Sequence, residues 1–252
     1  MLPFVVCSLL AVQTASGETV RFVHCLGGCP VGAPASNQMI ARSLYTLSYN
    51  LENRVADWVA YIVTPGSIGV ATNLSRQPLH DPYVAGTLAP EDFSSAEEGE
   101  RLVLNYLAPL VSFAGTPFWL EVNYLTNMVP RSSELNRGSW YGLEWAVRNL
   151  ANRSEGVYVI TGPIYDADFA ASDLTLDTDS PHRIPTGFYK VIVDSEGYAG
   201  AFTFPQDLPF HIHHCDRLTS IEEVERLSGL DLFPELPQLP LGDLSERLGC
   251  FR

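Results

Sequence analysis

Basic side chains are scarce in this chain: lysine and arginine number 15 against 29 aspartates and glutamates in 252 residues, a formal charge of −14. A surface of that sign repels the phosphate backbone unless a local basic patch overrides it, so global charge disfavours nucleic acid, although a divalent metal with a few well-placed arginines can still hold one scissile phosphate. Long apolar runs are missing too. Outside Leu2 to Val12, no stretch approaches the ~18 residues of a membrane span, and no membrane partner is expected. That run, LPFVVCSLLAV, is followed by the small or polar residues Thr14, Ala15, Ser16 and Gly17. Residues 1–17 therefore read as a signal peptide of a secreted or periplasmic protein, although a positively charged lead is lacking. A buried N-terminal strand is the competing reading.

Internal repeats are absent, and so are the paired cysteine spacings of a zinc ribbon. Once Cys7 leaves with the signal, Cys25, Cys29, Cys215 and Cys250 form an even set, and two disulfides are the economical reading for an exported chain. Cys25 and Cys29 would pin only a Gly-rich loop. Cys215 to Cys250 would restrain the C-terminal arm, by roughly 3–4 kcal/mol in the chain-entropy model. A zinc site from these thiols with His211, His213 and His214 is the alternative, although those imidazoles also read as surface groups beside Cys215. The acidic run Asp166, Asp168, Asp173, Asp177 and Asp179 lacks the spacing and central glycine of a calcium loop and reads as solvated.

What is present is a mixture of short strands and a few helices. Aromatic and β-branched runs at Leu44 to Tyr49, Asp57 to Thr64, Trp119 to Leu125, Gly156 to Ile160, Gly187 to Val193 and Tyr198 to Phe204 predict strands, the last two joined as a hairpin by Asp194 to Gly197. Trp140, Leu143, Val147 and Leu150 recur at spacings of three and four and predict an amphipathic helix. Ser220 and Glu223 form a capping box before a second helix that Gly229 ends. The expected fold is a mixed α/β (α+β) single domain over 18–252, with a largely antiparallel central sheet flanked by helices.

The chemistry concentrates between Asn127 and Arg148, NMVPRSSELNRGSWYGLEWAVR. On one uninterrupted helix Asn136 and Glu144 would sit about two turns and ~80° apart. An amide oxygen with waters suits a hard cation such as magnesium. The bland alternative is an N-cap asparagine and an exposed helical glutamate.

The chain also resembles the Serratia-type non-specific DNA/RNA endonucleases of the ββα-metal superfamily. The resemblance runs through CLGGCP, YTLSYN, ADWVAY, TLAPEDF, NYLTNMVP, LNRGSWYGLE, TGPIY and GLDLFPELP, which together span nearly all of the chain after residue 17. It implies a ββα-metal endonuclease fold, nucleic acid as partner and magnesium as cofactor. Asn136 would bind the metal, Glu144 would orient metal-bound water, and Asn127 and Arg148 would support them.

One signature of that family is missing. Its Asp-Arg-Gly-His, with histidine as general base, falls by ungapped counting from Asn127 on Val103, Leu104, Asn105 and Tyr106. A family arginine that steadies charge on the phosphate falls on Leu74, with Arg76 two residues away. Tyrosine titrates near ~10 and histidine near ~6.5, so Tyr106 keeps its proton at neutral pH and is a poor base. Three readings follow: a secreted pseudonuclease, an active magnesium-dependent endonuclease with a non-standard base, and an acidic protein-binding module.

Overall fold

Period-two alternation on the strands builds two cores. The structure, a computed structural model, describes residues 21–92, 102–170, 176 and 178–251. The expected signal peptide, with Asp173 and Asp177 of the acidic run, lies outside them. β1 (Gln38–Ala41), β2 (Tyr45–Asn50) and β3 (Val55–Val63) form an antiparallel meander. Along β3, Val59, Tyr61 and Val63 enter one apolar cluster while Trp58 and Ala60 enter the other, as on a strand with both faces covered. β4 (Leu102–Tyr106) and β5 (Met128–Ser132) pair separately as an antiparallel ribbon.

β6 (Val157–Ile164), β7 (Gly187–Asp194), β8 (Tyr198–Pro205), β9 (Leu218–Thr219) and β10 (Gly242–Asp243) complete an eight-stranded sheet. Its order is β1-β2-β3-β6-β7-β8-β10, with β9 on β8, and only the β10 pairing is parallel. The mixed α/β class, the single domain and the largely antiparallel sheet are as the sequence predicts. The β7–β8 hairpin also follows the prediction, with Gly197 at φ +83° closing its turn.

α1 (Ser133–Leu135), a π-helical turn over Asn136–Trp140 and α2 (Tyr141–Ala151) follow one another directly. α2 buries Leu143, Val147 and Leu150 in the first cluster. α3 (Ile221–Ser228) packs Ile221, Val224 and Leu227 into the second. Its cap is the expected one: Ser220 Oγ accepts from Glu223 N at 3.2 Å, and Gly229 ends it at φ +72°. No helix of the described residues is long and apolar enough to cross a membrane.

Trp119 to Leu125 departs from its strand prediction and forms 3-10 turns, Trp119–Asn123 and Leu125–Asn127. Leu79 in the preceding loop exchanges backbone bonds with Asn123 and Leu125, so this segment satisfies its polar groups without joining the sheet. Both disulfides form as predicted, Cys25–Cys29 and Cys215–Cys250. They consume the thiols that the zinc alternative required.

Candidate nucleic-acid site on a cationic pocket

The β4–β5 ribbon and the start of α2 enclose a cavity of about 310 Å³ lined by Arg76, Tyr106, Asn136, Glu144 and Arg148, among others. Four residues expected from the sequence, Tyr106, Asn136, Glu144 and Arg148, thus meet around one space. Asn127 does not line it. Its amide donates to the Ala108 and Val122 carbonyls at 3.0 and 2.9 Å and accepts from Ala108 N at 2.8 Å. Fully buried and fully bonded, it holds the loop after β4 in place.

Asn136 and Glu144 do not share one uninterrupted helix. The π-helical turn intervenes, and Gly138 leaves helical geometry at φ −91°, ψ −115°. A Cβ at Gly138 would come within 2.5 Å of the Phe210 carbonyl oxygen, so the kink follows from close passage of that backbone. The bland readings fail as well. Ser132, not Asn136, caps the segment by accepting from Leu135 N, and the Glu144 side chain is only 13% exposed.

Glu144 is ringed by cations. Its Oε1 accepts from Trp140 Nε1 at 2.7 Å and lies 3.5 Å from Lys190 Nζ, while Oε2 is 3.9 Å from Arg148 Nη1. Lys190 is fully buried under Trp140, its Nζ 4.1 Å from the ring centroid. Burial lowers its pKa to about 8, with Glu144 opposing the shift. Arg131 packs on the same indole, 3.8 Å from a ring centroid and 4.7 Å from that of Phe188. Its Nη1 donates to Asn136 Oδ1 at 3.1 Å, and both Nη atoms donate to the Tyr106 carbonyl at 3.3 Å. Burial lowers its pKa to about 9, again against the attraction of Glu144; it is protonated at neutral pH.

Arg131 and Lys190 escape a reading of the sequence by motif. A signal was nonetheless present for one of them: Lys190, the chain's only lysine, stands between Phe188 and Ile192 on a strand face that should be apolar. Arg131 follows Pro130 in a loop-to-strand segment where periodicity carries no information about burial.

Tyr106 donates its hydroxyl to Asn123 Oδ1 at 3.0 Å. Burial raises its pKa, and nearby Arg76 offsets this only in part. Of the two candidates for the family arginine, Leu74 packs on the core while Arg76, two residues on, lines the pocket.

A magnesium ion demands near-octahedral oxygen ligation at ~2.1 Å. The oxygens at hand are already engaged by cations. An ion on Asn136 Oδ1 would lie within about 5 Å of Arg131 Nη1, which is 3.1 Å from the same oxygen. At an effective dielectric near 20, even two unit charges 4 Å apart cost about 4 kcal/mol, and a divalent ion roughly doubles that. Among the described residues lining the cavity, Glu144 is the sole carboxylate, against Arg76 and Arg148, with Arg131 and Lys190 behind them. The donor set does not fit a divalent cation. It fits an anion.

The rival histidine cluster lacks the thiol that the zinc reading required. His213, His214 and Cys215 approach one another, but the Cys215 sulfur is bonded to Cys250. His213 and His214 lie in a 3-10 turn at His214–Arg217 and its cap, not on a strand. His211 is exposed.

Comparison with known proteins agrees with this architecture. The family model described as DNA/RNA non-specific endonuclease matches residues 28–239. A nuclease of Serratia marcescens is 36% identical over 260 aligned positions, covering 96% of this chain and 95% of that protein. Nuclease C1 of Cunninghamella echinulata var. echinulata is 29% identical, covering 85% of this chain and 90% of that protein. Among solved structures, the crystal structure of the EndoG/EndoGI complex superposes at a TM-score of 0.63 with 25% identity, covering 78% of this chain and 86% of the matched one. The sheet, the ribbon-and-helix pocket and these matches lead to one conclusion: the chain belongs to the DNA/RNA non-specific endonuclease family.

Proposed function

We propose that this chain is a secreted family member that engages the nucleic-acid backbone at the Tyr106–Glu144–Arg148 pocket and is impaired in hydrolysing it. One observation carries the reading. At the position where the family resemblance calls for a general-base histidine stands Tyr106, whose hydroxyl is committed to Asn123 and whose pKa is raised by burial. A protonated phenol takes no proton from water at neutral pH. What remains is a group of arginines that can hold a phosphate, since charge-assisted bonds from guanidinium to phosphate are strong and directional. Local cationic charge here opposes the chain's global −14.

Secretion is supported by two disulfides, which persist in oxidising compartments. Magnesium enters only as the cofactor that the resemblance implies. Incubating the purified chain with supercoiled plasmid and with RNA in magnesium tests the reading: both substrates stay intact. Degradation that requires magnesium and disappears in Asn136→Ala would instead establish an active endonuclease working without a histidine base.

A further inference from the structure

The ordinary logic of such a pocket needs a divalent ion between the protein and the phosphate. Here the amide oxygen assigned to that ion accepts a hydrogen bond from a buried guanidinium. Arg131 is 0% exposed, its guanidinium lies over the contacting rings of Trp140 and Phe188, and its Nη atoms bond Asn136 Oδ1 and the Tyr106 carbonyl. It lies on β5, opposite Val103 of β4, so ladder pairing sets its backbone. Such a group does not swing aside to admit an ion.

A second observation points to an anionic ligand. Arg148 is 7% exposed and lines the cavity, yet its Nη1 has no hydrogen-bond partner, the Glu144 carboxylate being 3.9 Å away. Lys190 Nζ, 1% exposed, is held 3.5 Å from Glu144 Oε1. Buried donors in native proteins are ordinarily satisfied, and those left over mark a missing partner. Arg148 lines the cavity, and a guanidinium at a cavity wall is matched by an oxyanion.

We propose that Arg131 is the resident cation of this pocket, standing in for a divalent metal, and that the pocket takes a nucleic-acid phosphate without one. The phosphate sits against Arg148, with Arg76 at the rim. The second half rests on the nucleic-acid reading above; the first half does not. Charge compensation that a metal would supply from solution is covalently part of the chain, which makes the site independent of chelators.

Two measurements on the full chain separate these halves. In the first, manganese is titrated into the protein and followed by electron paramagnetic resonance. Wild type takes up no ion, whereas Arg131→Gln, which keeps a hydrogen-bond donor but removes the charge, gains one site. One manganese per wild-type chain, lost in Asn136→Ala, overturns the resident-cation assignment; that wild-type titration decides the matter even if Arg131→Gln does not fold. In the second, a fluorescein-labelled single-stranded oligothymidylate is titrated at low salt in EDTA and in magnesium. Affinity is no weaker in EDTA, and Arg148→Gln lowers it about tenfold, as loss of a charge-assisted bond implies. Affinity that collapses in EDTA overturns metal independence. No retention in either buffer overturns the phosphate half together with the nucleic-acid reading, and the manganese result stands apart from it.

Discussion

The two faces of the central sheet handle their side chains in opposite ways. On the α3 face, Trp58, Ala60, Val191, Val193, Val224, Leu227, Leu232 and Phe233 form an apolar layer; strand alternation or helix spacing places the first six, and the last two come from the loop after α3. On the α2 face an apolar layer of similar kind is interrupted by Arg131, Lys190, Glu144 and Arg148, clustered around Trp140. Burying charge costs several kcal/mol per ion unless partners repay it. A fold that keeps three cations against one carboxylate on one face, and none among the apolar layer of the other, has concentrated its electrostatic strain where a ligand can relieve it.

That contrast can be broken at either face. The largest effect is expected on the apolar one. Leu232→Ala leaves a cavity in a fully buried cluster and should destabilise by about 2–5 kcal/mol in chemical denaturation, with oligonucleotide affinity unchanged. Lys190→Met on the other face should move both readouts. It removes one partner of the buried pair with Glu144, but Glu144 keeps Trp140 Nε1 and Arg148, so the loss of stability should be smaller than the ~3–5 kcal/mol of a fully broken buried pair. Oligonucleotide binding should weaken with it; unchanged binding would show that Lys190 serves the fold alone.

A smaller effect concerns acid. His214 packs beside Phe202, and Gly142 on α2 approaches its Nδ1; burial lowers its pKa, as it does for His24. A depressed histidine pKa contributes stability that is fully present above the ordinary value of ~6.5 and is lost as pH falls through the folded value. The melting temperature should therefore fall as pH is lowered below about 6.5, and less steeply in His214→Asn, when measured by circular dichroism. An identical slope in both proteins would remove His214 from the account.

Much of this was legible in the chain. The α2 spacing of Leu143, Val147 and Leu150, the Ser220 cap, the Gly197 hairpin and the even cysteine set all rest on local rules, and the structure follows each of them. Trp119 to Leu125 was misread because an aromatic-rich run fits a strand and a buried turn equally well. Counting along the chain reached Leu74 and left Arg76 beside it, because an interval in sequence does not say which loop side chain lines a pocket; Arg76 does.

Residue identity and spacing determined by themselves the family motifs, the strand and helix pattern, the two disulfides and the change at Tyr106, since each depends on nearest neighbours or on a short period. Tertiary structure alone decided what Asn136 faces. Whether an amide oxygen meets solvent, an ion or a guanidinium depends on β5 lying against the π-helical turn and on Gly138 kinking it. Those are contacts in space, and electrostatics in a buried pocket is set by distances of 3–5 Å that no interval along the chain encodes.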